Sequence, residues 1–191
     1  MSQEVNNEAP VGAQVNIGKN EGSVYLNKQT RLSKRFQRLK EEVEGDLRYD
    51  DFIDDLANFN TKLDGKSLTE KLEDGGFSTL DIKRANERNL SYWKKFEMYR
   101  FYESAQRIDI EIFAKIKLNF ETYIEPLIDD GRSISFIKTA VTEKIVEPIL
   151  FMLNNDGYDD VWLNYTSEEI LGMVYFLSGK CHLNWKNYDN L

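Results

Sequence analysis

Between Phe101 and Leu127 the apolar residues Ala105, Ile108, Ile112, Ile116, Phe120, Tyr123 and Leu127 recur at steps of three or four, the spacing of one buried helix face. Arg107, Asp109, Glu111, Lys115, Lys117, Asn119 and Glu121 fall between them and predict a polar face opposite, although Ile110, Phe113 and Ile124 widen the apolar stripe. A stripe this wide needs partners on several sides, which places the helix at the centre of an all-α fold. The periodicity extends back through Tyr99, Phe96, Trp93, Tyr92, Ala85 and Ile82 to a capping serine, Ser78, with Asp81 in its first turn. A straight helix from Ser78 to Ile128 would run roughly 75 Å at 1.5 Å per residue, too long for a compact domain of this mass. The apolar face also changes phase at Phe101 and Tyr102, so a break or sharp kink is expected there.

The rest of the chain predicts shorter helices around this one. Leu32, Phe36, Leu39 and Val43 set a first, stopped near Gly45; Tyr49, Phe52, Ile53, Leu56, Phe59 and Leu63 set a second, stopped near Gly65. Ser67 with Glu70, and Thr166 with Glu169, are capping boxes that open two more. Ser133 caps a helix with Phe136, Ile137, Val141, Ile145, Ile149 and Leu153 inward, which Pro148 should kink because proline removes a backbone donor. The last helix, through Ile170, Leu171, Met173, Val174 and Leu177, ends at Gly179, expected in the left-handed conformation. Two stretches resemble each other, Tyr123 to Ile128 and Ile145 to Leu150, each with Glu-Pro at its centre. The resulting expectation is a single irregular helical bundle of about six helices.

Residues 1–29 differ in kind, being rich in Asn, Gly, Gln and Val. Ala13, Val15 and Ile17 alternate with polar residues, Gly18 to Gly22 marks a turn, and Val24 and Leu26 alternate again. A β-hairpin of this size is marginal alone in water. It either stays a free tail, docks on the body, or pairs between chains through Val15, Ile17, Val24 and Leu26, which would make the protein a homo-oligomer. Such arches also resemble the prion-like signalling motifs at the ends of bacterial immune receptors. The division is therefore an arm, 1–29, and a helical interaction domain, 30–191.

Charge and chemistry narrow the function. A net charge of −8 opposes non-specific nucleic-acid binding unless a local basic surface exists. One candidate does, with Lys34, Arg35 and Arg38 at its centre between Arg31 and Lys40, but the acids from Glu41 to Asp55 follow directly and could neutralise it. Asp50, Asp51, Asp54 and Asp55 read as the solvated start of the second helix and not as a metal site. Gly65-Lys66-Ser67 lacks the partner glycine of a phosphate loop, and Asn154 to Gly157 lacks the terminal carboxylates of a calcium loop. Cys181 and His182 are sequence neighbours, which rarely face one another as nucleophile and base, so Gly179, His182 and Trp185 read as a structural ending. No catalytic, cofactor-binding or metal-binding residue is assigned. With one cysteine, no signal-peptide core in Met1 to Pro10, and no apolar run near the roughly 18 residues of a membrane span, a cytoplasmic protein that does not contact membranes is expected.

The stretches Gly172 to Trp185, Tyr99 to Gln106 and Asn119 to Pro126 resemble segments of a helical C-terminal domain of bacterial ABC-three-component, or Lamassu-like, antiphage systems. The likeness covers about residues 31 to 186 and carries no catalytic residue. It implies a domain that connects an effector, such as a nuclease, to an SMC-like ATPase and a middle subunit. This chain has only the Asn- and Gly-rich segment where the effector would stand. The expected role is thus a non-catalytic adaptor or small subunit held to a larger partner, the alternative being a nucleic-acid-binding subunit or small enzyme that uses the basic 31–40 helix.

Overall fold

The computed structural model describes residues 29–63 and 65–188. The expected arm hairpin and its pairing residues Val15, Ile17, Val24 and Leu26 lie outside the described residues. Seven helices and no strand occur among those described: α1 (Arg31–Glu44), α2 (Asp54–Asn60), α3 (Leu68–Asp74), α4 (Thr79–Tyr99), α5, α6 and α7 (Ser167–Gly179). α5 begins as Glu103–Asn119, passes through a π turn at Phe120–Ile124 and finishes as Glu125–Asp129. α6 has the same plan, Ile134–Val141, a π turn at Thr142–Val146, then Glu147–Asp156.

The caps read from sequence start their helices. Both capping boxes form, and the hydroxyls of Ser78 and Ser133 each accept a backbone N–H of the following first turn. The long periodic stretch breaks where the phase changed: α4 ends at Tyr99, Tyr102 is extended (φ −112°, ψ 123°), and α5 starts one residue later. The break exposes backbone groups that the buried Gln106 amide satisfies, Nε2 donating to Arg100 O (2.7 Å) and Asp51 O (2.9 Å) while Oε1 accepts Ile53 N–H (2.8 Å). Tyr49 N–H donates to Phe101 O at 2.6 Å. These bonds pin the segment before Ile53 against the break. The second helix is accordingly shorter than its apolar spacing predicted, Asp50 and Asp51 precede it, and only Asp54 and Asp55 stand in its first turn.

The core forms around α5, which packs against α1 and α2 on one side and α7 on another, while α4 crosses α7. Ala105, Ile108, Ile112, Ile116 and Phe120 are buried as the spacing predicted. Beyond Phe120 the expected face fails, because the π turn rotates the chain: Tyr123 is 48% exposed and Ile124 is fully buried in its place. Both π turns precede a proline. The N–H of Glu125 reaches back five residues to Phe120 O, and that of Glu147 to Thr142 O. The wider turn makes room for rings that would strike the carbonyl four residues back in an α-helix. Lys144 O, which Pro148 cannot serve, accepts instead from Asn119 Nδ2 at 3.0 Å. Neither proline therefore ends its helix. In α6, Ile137, Val141, Ile145, Ile149 and Leu153 are buried as expected, but Phe136 lies one position round the helix and is exposed beneath the Arg132 guanidinium.

The α4/α7 crossing depends on Gly172. A Cβ there would lie 2.6 Å from Arg88 O and 2.7 Å from Tyr92 Cβ, contacts made by helix backbone and stem, not by a flexible tip. This approach seats Phe176 between Tyr92 (ring centroids 5.5 Å), Trp93 (5.8 Å) and Phe113 (5.6 Å). Gly172→Ala is expected to spread the two helices and destabilise the fold by about 1 to 3 kcal/mol, read as a lower urea midpoint with an unchanged slope. A midpoint equal to that of the parent would show the crossing to be looser than the geometry requires.

Candidate functional site

The basic helix α1 lies antiparallel to the start of α5. Arg35 Nη1 donates to Glu111 Oε2 and, at 3.1 Å, to Arg107 O, while Arg31 is 3.9 Å from Glu111. Arg38 pairs with Glu41 (2.9 Å) and Glu42 (3.4 Å), and Arg107 with Glu103 (2.6 Å). Glu42 is itself buried, accepting the backbone N–H (3.0 Å) and hydroxyl (2.9 Å) of Ser104. Lys34 is exposed and forms no ion pair among the described residues. The expected neutralisation occurs in part with the expected acids, Glu41 and Glu42 of α1 itself, and in part with Glu111 of α5, which was not foreseen, while the Asp50 to Asp55 group makes no such pair among the described residues. Exposed pairs of this kind contribute little stability each. Their effect is to cancel the positive field of α1 at its source.

At the other end of the chain α7 closes on a two-bond motif, His182 N–H to Leu177 O (2.9 Å) and Cys181 N–H to Ser178 O (3.0 Å). The left-handed residue is Cys181 (φ 71°), not Gly179, which sits inside the last turn of the helix. The same pair of bonds closes α1 at Asp46, α3 at Gly76 and α5 at Gly131, all with positive φ. The motif thus tolerates a side chain where a glycine would be the obvious choice, which is why the sequence misplaces it by two residues. The turn then buries Leu183 and Trp185. Trp185 meets Phe77 and Phe120 edge-on, each at 5.0 Å, and donates Nε1–H to Ser178 Oγ at 2.9 Å. His182 Nε2 lies 3.0 Å from Phe59 O, a pure acceptor, so this nitrogen carries the proton. Burial, more than any neighbouring charge, holds the imidazole below its usual pKa and keeps it neutral at pH 7. Its bond runs to Phe59 O, while the Cys181 thiol faces Lys66 O at 3.8 Å.

Asp109 is a further residue that sequence reasoning misplaced. Expected on the polar face of α5, it is 3% exposed, with Tyr165 Oη donating to Oδ1 at 2.6 Å and Tyr92 Oη to Oδ2 at 3.2 Å. Burial raises its carboxyl to about 7, against the lowering effect of the two hydroxyls. The same burial raises both tyrosines, so they remain donors. The signal was present in Ile108, Ile110, Ile112 and Phe113, which leave a helix almost no solvent side. The cluster ties α4, α5 and the segment before α7 together through one carboxylate.

Among the described residues, no group of three His, Cys, Asp or Glu side chains could hold a metal ion, and no helix is long and apolar enough to cross a membrane. Residues 67–185 match the family model for C-terminal domain 9 of the ABC-three component (ABC-3C) systems. The match opens on the capping serine of α3 and closes on Trp185, so it takes in the α4/α7 crossing, the Asp109 cluster and the buried C-terminal turn. No curated protein and no solved structure matches the chain.

Proposed function

The chain belongs to the family of C-terminal domain 9 of the ABC-three component systems, and on that premise we propose that it serves as a non-catalytic adaptor in a bacterial antiphage defence assembly of Lamassu-like kind. In this reading it works in the cytoplasm and holds an effector nuclease or SMC-like ATPase by helix packing. The observation that carries the reading is the match itself, which names a domain of a multi-component system and spans the helical body from α3 to Trp185. The state of α1 and of the facing start of α5 favours a protein partner over nucleic acid, since Arg35, Arg38 and Arg107 already face carboxylates. A phosphate backbone would have to displace these partners before gaining any counterion release.

The test is co-expression of the tagged full chain with the proteins encoded beside it. An ATPase or nuclease subunit should co-purify stoichiometrically, and Lys34→Glu should leave that association unchanged. The purified chain should hydrolyse neither nucleotide nor nucleic acid. Turnover by the chain alone, abolished by a point substitution that leaves its melting intact, would overturn the reading.

A further inference from the structure

Between α3, α4 and α7 lies an open groove of about 440 Å³, within the roughly 300–1,000 Å³ typical of ligand clefts. Asn86, Asn89, Leu90 and Trp93 line it from α4 at helical spacing, so one whole stripe of that helix faces the opening. Leu68 and Phe176 complete the apolar wall, and Gly179 lies at the α3 end, where a Cβ would stand 3.6 Å from Leu68 Cβ. Leu90 is 53% exposed, an apolar side chain at the lip.

Two polar groups in the groove are left short of partners by the fold. Asn86 is satisfied, its Nδ2 donating to Thr69 Oγ1 (3.2 Å) and Ile82 O (3.1 Å). Asn89 Oδ1 is buried with no hydrogen-bond partner, a state that costs folding free energy and is uncommon in native proteins. Lys180 holds its ammonium over the Trp93 (5.6 Å) and Phe176 (5.5 Å) rings and forms no ion pair among the described residues. Burial, and after it the charge of Lys62, pushes this ammonium below its usual pKa. A nearby carboxylate would favour the charged ammonium again.

We propose that this groove docks an extended peptide segment from another subunit of the same assembly. The segment sets an apolar side chain against Leu90, Trp93 and Phe176, a backbone amide against Asn89, and a carboxylate beside Lys180. The unmet acceptor of Asn89 matches a peptide N–H, a donor that every residue but proline offers. The unpaired cation selects an acidic flank. Nucleic acid fits poorly, because apolar walls surround a single cation on a chain of net charge −8. The proposal rests on the adaptor reading and names its contact surface.

The test uses the purified full chain and overlapping 15-residue peptides covering the subunits encoded beside it, with binding measured by calorimetry. A segment combining an apolar and an acidic residue should bind the parent. Leu90→Glu and Lys180→Glu should each weaken binding at least tenfold, and exchanging the peptide's acid for lysine should restore binding to Lys180→Glu. Asn89→Leu should weaken binding while raising the melting temperature, a combination that a purely structural asparagine would not give. If the intact subunits bind and all three variants bind as the parent does, the groove is not the contact and the adaptor reading stands without it. If no subunit binds the parent, the adaptor reading fails and the groove assignment fails with it.

Discussion

Trp185→Ala is expected to cost the fold about 3 to 5 kcal/mol, the range for removing a large buried aromatic side chain. The indole is 3% exposed, fits between Phe77 and Phe120, and lies so close to α3 that a Cβ on Gly75 would sit 2.7 Å from Trp185 Cβ. Its neighbours come from α5, α7 and the turn after α3, so they cannot close on the space without moving helices. The hydrogen bond adds less: Ser178 Oγ keeps its own donation to Val174 O at 2.8 Å and loses only an incoming proton. Against a total of roughly 5 to 15 kcal/mol for a single domain, the loss is a large share. Urea unfolding should show a much lower midpoint at similar slope. His182→Ala should cost about 1 kcal/mol, because the Phe59 carbonyl it leaves is only partly buried and can turn to water. Equal effects from the two substitutions, or a Trp185→Ala midpoint matching the parent, would contradict the packing described.

The second large effect is a dependence of stability on pH set by Asp109. Its carboxyl titrates near 7 in the fold and near 3.8 in the unfolded chain. Between those values the folded protein holds a proton that the unfolded chain has released. Stability from this group is therefore full below about pH 4 and is lost as pH rises through 7. Three units correspond to about 4 kcal/mol in all, of which about 2 to 3 kcal/mol falls between pH 5 and pH 8. His182, held neutral by burial, acts in the opposite direction on the acid side. The comparison that isolates Asp109 is thus the parent against Asp109→Asn, whose amide keeps the shape and can both accept from one tyrosine and donate to the other. Urea midpoints at pH 5 and pH 8 should fall for the parent and fall much less for the variant. Identical pH profiles for the two proteins would remove Asp109 as the cause.

What could be read from sequence was whatever short-range chemistry decides. Ser67, Ser78, Ser133 and Thr166 name their helix starts because the cap hydroxyl and the backbone N–H that donates to it lie within four residues. The break near Phe101 was legible because length and phase both demanded it. Most of the misses have another cause, namely contacts remote in sequence, the displaced Tyr123 being the exception with Pro126 only three residues on. The helix predicted from Tyr49 is shortened by bonds to Phe101 and Gln106, some fifty residues away. Ile124 replaces Tyr123 because a proline downstream forces a wider turn. Asp109 is buried by Tyr165, more than fifty residues on. Asn89 carries no signal in sequence at all, since a helix asparagine between Arg88 and Leu90 reads as ordinary solvent face until α3 and α7 close around it.

The two π turns also give the protein a property that follows from counting. Each holds one residue more than an α-helical path between the same ends would need. Elsewhere in a buried helix, losing a residue turns everything downstream by about 100° and brings polar side chains into the core. At 120–126 and 142–148 the one surplus residue can go once the proline that requires it is replaced, and the downstream faces of α5 and α6 stay in phase. The pair of Glu-Pro sites are therefore length-adjustable joints within otherwise length-intolerant helices, and relatives that lack either proline can be one residue shorter there without repacking.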